Sequence, residues 1–597
     1  MSIKSILILD PWLPITHTRL SPSNKYSVGM AIYLAFILLI ITSVAASGTG
    51  LYSDCCLRAL ELGAYINKST PFRDYTCRQV FNKSIPAAPE VAVPYSWCRA
   101  NCAGWTLATA SDLSNWANTL TQFILPAVIF STTIPRRYKS RVPDHLFSFQ
   151  LRRNDGCCKL LCSCLIATLL ACLSFLATLI ILLIDHAIWV FIVFASAGPM
   201  LFSGLQEACL DYMIISYLKE RVSKQDQIRL TSATRFELLL VILAGNSTPA
   251  IRKSHQHQLS RNGATSSRLT LLGNAFPLTR HSIVTTRQRL RAILTSQPSF
   301  GFVVGAPVLF YIGAFFYSTT ELSSKVGNGE IARSLALGTW WMTIVLVAIV
   351  NGCLVANNSP GTLSMVAGLR VSDLTGPKLS FEWWPAHGSN VQPVSIWDRG
   401  SNKRALLKDN AAWITYKREH GIDFYYWSFV TTSTLILAVL PSALAIAISF
   451  TYIGVSCRAL NILLYAMLQL LLIFMVVWKD LGPISLLSCE HWIRNSLHVL
   501  FFVLSVFNSS VGTMLQIIGV YRNCICEIPV SYWLRLDDAL VRYLAADTLE
   551  RRNASIYWTS IGYGSMGFLI ITCYTSWRFQ QTMKRAFEDQ IKRLRPL

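Results

Sequence analysis

Glu207 and Asp211 stand four residues apart in FSGLQEACLDYMIISYL, residues 202–218, at the end of a long apolar run. That spacing puts both carboxylates on one face of a helix. Two acids held away from water would bind a proton or a cation, or work as an acid–base pair. A second constellation, CEHWIRNSLH at residues 489–498, offers Glu490, His491 and His498 as a base or a metal-binding group. No HExxH spacing accompanies it, so the stretch reads as a polar collar at a membrane surface and no metal is expected. If the ends of their helices meet, Glu207, Asp211, Glu490 and His491 are the weak catalytic candidates.

Other chemistry is excluded by pattern. GYGSMG at residues 562–567 has dinucleotide-binding glycine spacing, but it lies inside an apolar run, without the strand and helix N-terminus that would hold a pyrophosphate. Close helix packing explains those glycines, and the pair Gly301 and Gly305 reads the same way. P-loop, GxSxG and Asp-rich diphosphate signatures are missing, so no cofactor is expected.

The elements that must position these groups are membrane helices. Hydrophobic residues make up 52% of the 597 residues and charged residues 14%, a balance unlike that of soluble domains. The apolar residues come in blocks of about 20, the length a helix needs to cross a hydrocarbon core. The predicted fold is therefore all-α, a polytopic helical membrane protein of about ten transmembrane helices. Its spans are placed near 28–46, 113–134, 161–184, 187–206, 301–319, 335–356, 427–450, 459–478, 497–519 and 556–576. The ten-residue run at 236–245 is too short to cross and reads as an interfacial or buried loop helix.

With both termini cytoplasmic, 39 of the 53 Lys and Arg residues fall on the cytoplasmic side and none within a span, as the positive-inside rule asks. The predicted organisation is a cytoplasmic N-terminus (1–26) and a first span or signal anchor (27–46). A lumenal or extracellular loop (47–112), spans 2–4 (113–218) and a basic cytoplasmic loop (219–300) follow. Next come spans 5–6 (301–356) and a cytoplasmic loop (357–426), whose Trp383, Trp384, Trp397 and Trp413 would fold it against the bundle. Spans 7–10 (427–576), with a lumenal loop at 520–555, lead to a basic tail (577–597). The net charge of +22 lies in these loops, so the expected partner is an anionic cytoplasmic leaflet rather than nucleic acid.

The lumenal loops carry the sequons of Asn67, Asn82 and Asn553, candidates for glycosylation, and the cysteines Cys55, Cys56, Cys77, Cys98, Cys102, Cys524 and Cys526, candidates for disulfides. In CCKLLCSC, residues 157–164, Cys157 and Cys158 sit beside basic residues at the mouth of a span, where palmitoylation occurs. Counting from Asp185–His186, taken as the turn between spans 3 and 4, a span of 19 or 20 residues ends by Gln206. Glu207 and Asp211 are then expected at the cytoplasmic interface, and a tilt or a kink at Pro199 is the alternative that would bury Glu207.

WTLATASDLSNWANTLTQFILPAVIFSTTIPRR, residues 105–137, resembles a segment of large uncharacterised multi-span membrane proteins of filamentous fungi. The resemblance covers 33 of the 597 residues and brings no catalytic residue. It implies a setting in membrane physiology or as an accessory protein of a secondary-metabolite pathway. The leading functional expectation is transport or handling of a small hydrophobic metabolite in a membrane of the secretory pathway, plasma membrane or endomembrane. A membrane-embedded enzyme on a lipophilic substrate, and a receptor or scaffold, are the alternatives.

Overall fold

The computed structural model describes residues 58–66, 91–102, 119–134, 157–223, 231–244, 247–249, 283–297, 299–324, 329–356, 391–408, 410–450, 455–481, 488–518, 520–543 and 549–594. Strands β1 (Val91–Pro94), β2 (Ser247–Pro249), β3 (Val391–Pro393) and β4 (Leu540–Tyr543) are short, and almost everything else is helix. The first helices are α1 (Tyr95–Asn101), α2 (Leu125–Thr133), α3 (Cys157–Ala195), α4 (Ala197–Ser223), α5 (Ser232–Ala244), α6 (Ile283–Thr295) and α7 (Ala306–Ser324). Then follow α8 (Gly329–Gly352), α9 (Arg399–Leu407), α10 (Ala411–Glu419), α11 (Ile422–Phe450), α12 (Cys457–Leu481), α13 (Ser488–Ile518) and α14 (Leu549–Lys592).

Among the described residues six helices are long and apolar enough to cross a membrane: Cys172–Ala195, Gly301–Ser324, Ile331–Gly352, Asp423–Ser449, Cys457–Asp480 and Trp492–Ile517. Their surfaces say what surrounds them. On α12 the side chains of Leu463, Met467, Leu471 and Phe474 are exposed, whereas Ile462, Tyr465, Gln469, Leu472 and Val476 are buried. A helix whose outward stripe is this apolar is matched to hydrocarbon rather than water. The protein is thus an all-α membrane protein.

The bundle centres on α8, whose apolar stretch is wholly buried. Trp340 and Trp341 of α8 meet Phe194 with ring centroids 4.8 and 5.3 Å apart, and Tyr465 closes the cluster 4.9 Å from Phe194. Gly338 lets the buried ring of Phe123 lie on the backbone of α8, where a Cβ would come within 2.4 Å of it. A second core lies beyond the membrane helices. The distal half of α4, α5, α6, α10 and the end of α14 bury Ile214, Leu239, Leu290, Trp413 and Phe587 there. Antiparallel β2 and β3 join the two segments predicted as separate cytoplasmic loops.

At the other end, the predicted lumenal loops fold together. β1 pairs antiparallel with β4, Val91 opposite Tyr543. Disulfides join Cys98 to Cys524 and Cys457 to Cys526, and Cys102 is also disulfide-bonded. Cys457 was not among the expected cysteines: it lies in the short stretch between the predicted spans 427–450 and 459–478, and it opens α12. Cys55, Cys56, Cys77, Asn67 and Asn82 lie outside the described residues, as does the first predicted span. Asn553 is exposed on α14, with Ser555 buried beneath it.

Several boundaries differ from expectation. No turn occurs at Asp185–His186: α3 runs through them as one 39-residue helix, because His186 Nε2 finds Val128 O at 3.2 Å and Ser131 Oγ at 3.3 Å. The second predicted span is described only from Thr119 and is helical from there to Thr133. The tenth lies within the 44-residue α14, which continues into the second core. Of the GYGSMG glycines only Gly562 is packed, its absent Cβ position 2.6 Å from Thr319 Oγ1; in the π-helical turn Gly301 faces open space, and Gly305 meets only Phe300 O, 3.7 Å from its absent Cβ, rather than a neighbouring helix.

Candidate functional site

Glu207 and Asp211, expected at the cytoplasmic interface, are fully buried within the protein. The reason is the second core: α4 leaves the membrane stretch into folded protein, so neither carboxylate reaches water. Burial of two bare carboxylates would be prohibitive, and the structure supplies their counter-charges from α9. Arg399 and Lys403, four residues apart like the acids they face, are themselves 1% and 0% exposed.

Arg399 Nε lies 2.8 Å from Glu207 Oε2, and its Nη2 donates to Glu207 Oε1 at 3.2 Å and to Ala356 O at 2.7 Å. The Nε contact is off the N–H line, so charge rather than a linear hydrogen bond holds it. Lys403 Nζ bridges the acids, 3.0 Å from Glu207 Oε1 and in a short contact with Asp211 Oδ1. Asp211 Oδ2 and Arg399 Nη1 have no hydrogen-bond partner among the described residues. Beyond the apolar stretch that ends near Gln206, burial pushes the Asp211 carboxyl above its ordinary range, while the Lys403 charge pulls it back down and that of Glu207 pushes it further up.

Close approach of the two helices depends on Gly400. Its N–H donates to Ser203 Oγ at 3.0 Å, and a Cβ there would lie 2.1 Å from Gln206 Oε1. A second layer surrounds the four charges. Asp480 of α12 pairs with Arg404 and accepts from Gln206 Nε2 at 3.1 Å and Ser401 Oγ at 3.2 Å. Lys479 reaches Asp398 at 3.4 Å, and the Arg404 guanidinium stacks 4.9 Å over Trp427. Every charge of α9 and its approach thus faces an opposite charge on a bundle helix. Sequence reading found the acids and missed Arg399, Lys403 and Asp480; the matching four-residue spacings were the one available signal.

Upstream of the acids the same helical path is broken. Pro199 has no N–H, so Ala195 O loses its intrahelical donor, and Gly198 N turns away from Phe194 O. All three groups are taken up by neighbours. Gln469 Oε1 accepts from Gly198 N at 2.9 Å, Gln469 Nε2 and Ser505 Oγ donate to Ala195 O at 2.9 and 3.0 Å, and Tyr465 Oη donates to Phe194 O at 2.8 Å. Within a membrane such freed groups must be satisfied by protein. Gln469→Leu removes one donor and one acceptor here; the expected result is a loss of about 1–3 kcal/mol, read as a lower thermal-unfolding midpoint in detergent. An unchanged midpoint would mean that water replaces the amide.

Glu490 and His491 open α13, and their side chains lie outside the described residues; so do those of Cys157 and Cys158 at the start of α3. The groups that contact the two acids come from α9 instead. Chemically, the cluster sums to zero charge, and both acids are engaged by cations. A general acid–base pair needs a face turned to substrate, whereas interlocked opposite charges on two helices make a joint that is either fully closed or must be resolvated. No protein-family model matches the chain, and no curated protein or solved structure is similar enough to lend it a role.

Proposed function

We propose that this membrane protein transports a small hydrophobic metabolite, with the α4–α9 ion-pair network as the lock that closes the pathway on its basic-loop side. The observation that carries the reading is the set of four buried charges between α4 and α9, next to the helix interruption at Ser196 just ahead of Pro199. Ionisable groups in such places mark solute or proton paths, and interrupted helices are the recurring framework of carriers. A carrier also needs an element with two arrangements. Separation of α9 from α4 would leave Glu207 and Asp211 without cations, and a proton on one of them would lower that cost; opening is then favoured by acid. In this reading the chain has ten spans with both termini cytoplasmic, a glycosylated lumenal cap and a place in the plasma membrane or an endomembrane.

The test is metabolite profiling, inside and outside, of cells that lack the protein and of cells carrying Glu207→Gln. Intracellular retention of one compound in both, with its synthesis unchanged, is expected. Build-up of a distinct precursor would replace transport by an enzymatic role, and unchanged profiles in both would leave a receptor or scaffold.

A further inference from the structure

A polar stripe runs up α13 from the helix interruption at Ser196, and the charge lock makes no use of it. Ser505, Asn508, Ser509, Thr513 and Gln516 recur at helical spacing and share one face. Ser505, Asn508, Ser509 and Thr513 are buried, while Val503, Leu504 and Phe507 of the same helix are exposed. From Ser505 to Gln516 the stripe covers about 16 Å, half of a hydrocarbon core of about 30 Å. Its groups work on neighbouring helices: Ser505 Oγ donates to Ala195 O at 3.0 Å, Asn508 Nδ2 donates to Asn461 O at 3.1 Å, and Thr513 Oγ1 accepts from Trp341 Nε1 at 3.3 Å. Towards the cap, the buried amide nitrogens Gln516 Nε2 and Asn461 Nδ2 have no hydrogen-bond partner among the described residues.

Aromatic rings face this stripe. Phe194, Trp340, Trp341 and Tyr465 meet around the interruption. Two of the polar ring groups are engaged, Tyr465 Oη with Phe194 O and Trp341 Nε1 with Thr513. Trp340 Nε1 is not: the side chain is 0% exposed, and its N–H has no acceptor among the described residues. A buried indole N–H usually finds a partner, and leaving such a donor unpaired costs about 1–3 kcal/mol. Charge is missing from the same walls. Residues 335–352 of α8, 459–478 of α12 and 499–518 of α13 contain no Asp, Glu, Lys, Arg or His, so a charged group brought there would lose its hydration without gaining a counter-charge.

We propose that the interface of α3, α8, α12 and α13 is the binding site and route of the solute, an uncharged molecule with an apolar body for the rings and a hydroxyl or carbonyl oxygen that accepts from Trp340 Nε1. The proposal rests on the transport reading and gives it a substrate class. Gln469 at this interface and Asp480 beside the charge lock are about 16 Å apart along α12. The lock therefore closes the route on one side of the rings, and the α13 stripe leads from them towards the cap on the other.

Cysteine replacements in the full-length protein, in its membrane, test the route with 2-hydroxyethyl methanethiosulfonate as the probe. The thiolate is the form that reacts, and it forms in water rather than in hydrocarbon. Ser505→Cys, Ser509→Cys and Thr513→Cys should be labelled at least about tenfold faster than Phe507→Cys, whose position faces outward. Labelling no faster than at Phe507→Cys overturns the route. Metabolite profiles judge transport separately: a retained compound beside an unlabelled stripe keeps transport and overturns this route, whereas a labelled stripe with unchanged profiles keeps the water-accessible route and removes the transport reading. The compound retained by cells lacking the protein is expected to be uncharged at neutral pH, and Trp340→Phe, at a normal protein level, should retain it too. A carboxylate or an amine overturns the solute class, and normal release by Trp340→Phe overturns the role of its N–H.

Discussion

Lys403→Met is expected to destabilise the protein by about 3–5 kcal/mol, the cost of stranding a buried charge whose partner has been removed. Lys403 Nζ contacts both Glu207 and Asp211, so its loss leaves two carboxylates to share one guanidinium in a site closed to water. Arg399 already serves Glu207 and Ala356 O and does not contact Asp211 in the structure. The readout is the thermal-unfolding midpoint in detergent at neutral pH. A compensated variant separates charge from packing: Lys403→Met with Asp211→Leu leaves Glu207 and Arg399 as a matched pair. It should recover most of the loss, since well-packed apolar replacements of buried ion pairs are often neutral. The sign with pH follows from the same geometry. In Lys403→Met the bared carboxylates favour a proton, so the deficit should shrink as pH falls through the raised range of Asp211 and be largest above it. A midpoint indifferent to Lys403→Met would mean that water reaches the cluster and that the α9 joint carries no strain of charge.

This cluster marks how far sequence reasoning reaches. The acids were legible because four-residue spacing is a local property of one helix. Their partners lie 192 residues away for both Glu207–Arg399 and Asp211–Lys403, and no local pattern says which of several basic residues will cross that distance. Span counting did not foresee the burial of the acids for a related reason. It assumes lipid, then headgroups, then water along the helix axis, and has no means to represent α5, α6, α10 and the end of α14 folding around α4. The same limit produced the false turn at Asp185–His186, a polar pair that looks like an interface until Val128 O and Ser131 Oγ supply partners inside the bundle. Composition, by contrast, decides the class outright, because only hydrocarbon accommodates so many apolar side chains on the outward faces of helices.

Loss of the Cys457–Cys526 bond should produce the second large effect, because that bond holds the cap to the bundle. The cysteines are 69 residues apart, and a loop of that length implies stabilisation of about 4 kcal/mol in the chain-entropy model. Membrane insertion of α12 and α13 restricts the intervening chain before the bond forms, so Cys457→Ser should fall below that figure, at about 2–3 kcal/mol. The cap would still be tied to itself through Cys98–Cys524 and the β1–β4 ladder, so it should separate from the bundle without unfolding. One readout distinguishes this from general destabilisation. Limited proteolysis should cut near 519–530 in Cys457→Ser while the membrane helices stay protected. A variant that keeps its protease resistance would show that Val530 N–Val455 O and the Arg333–Glu527 pair hold the seam without the disulfide.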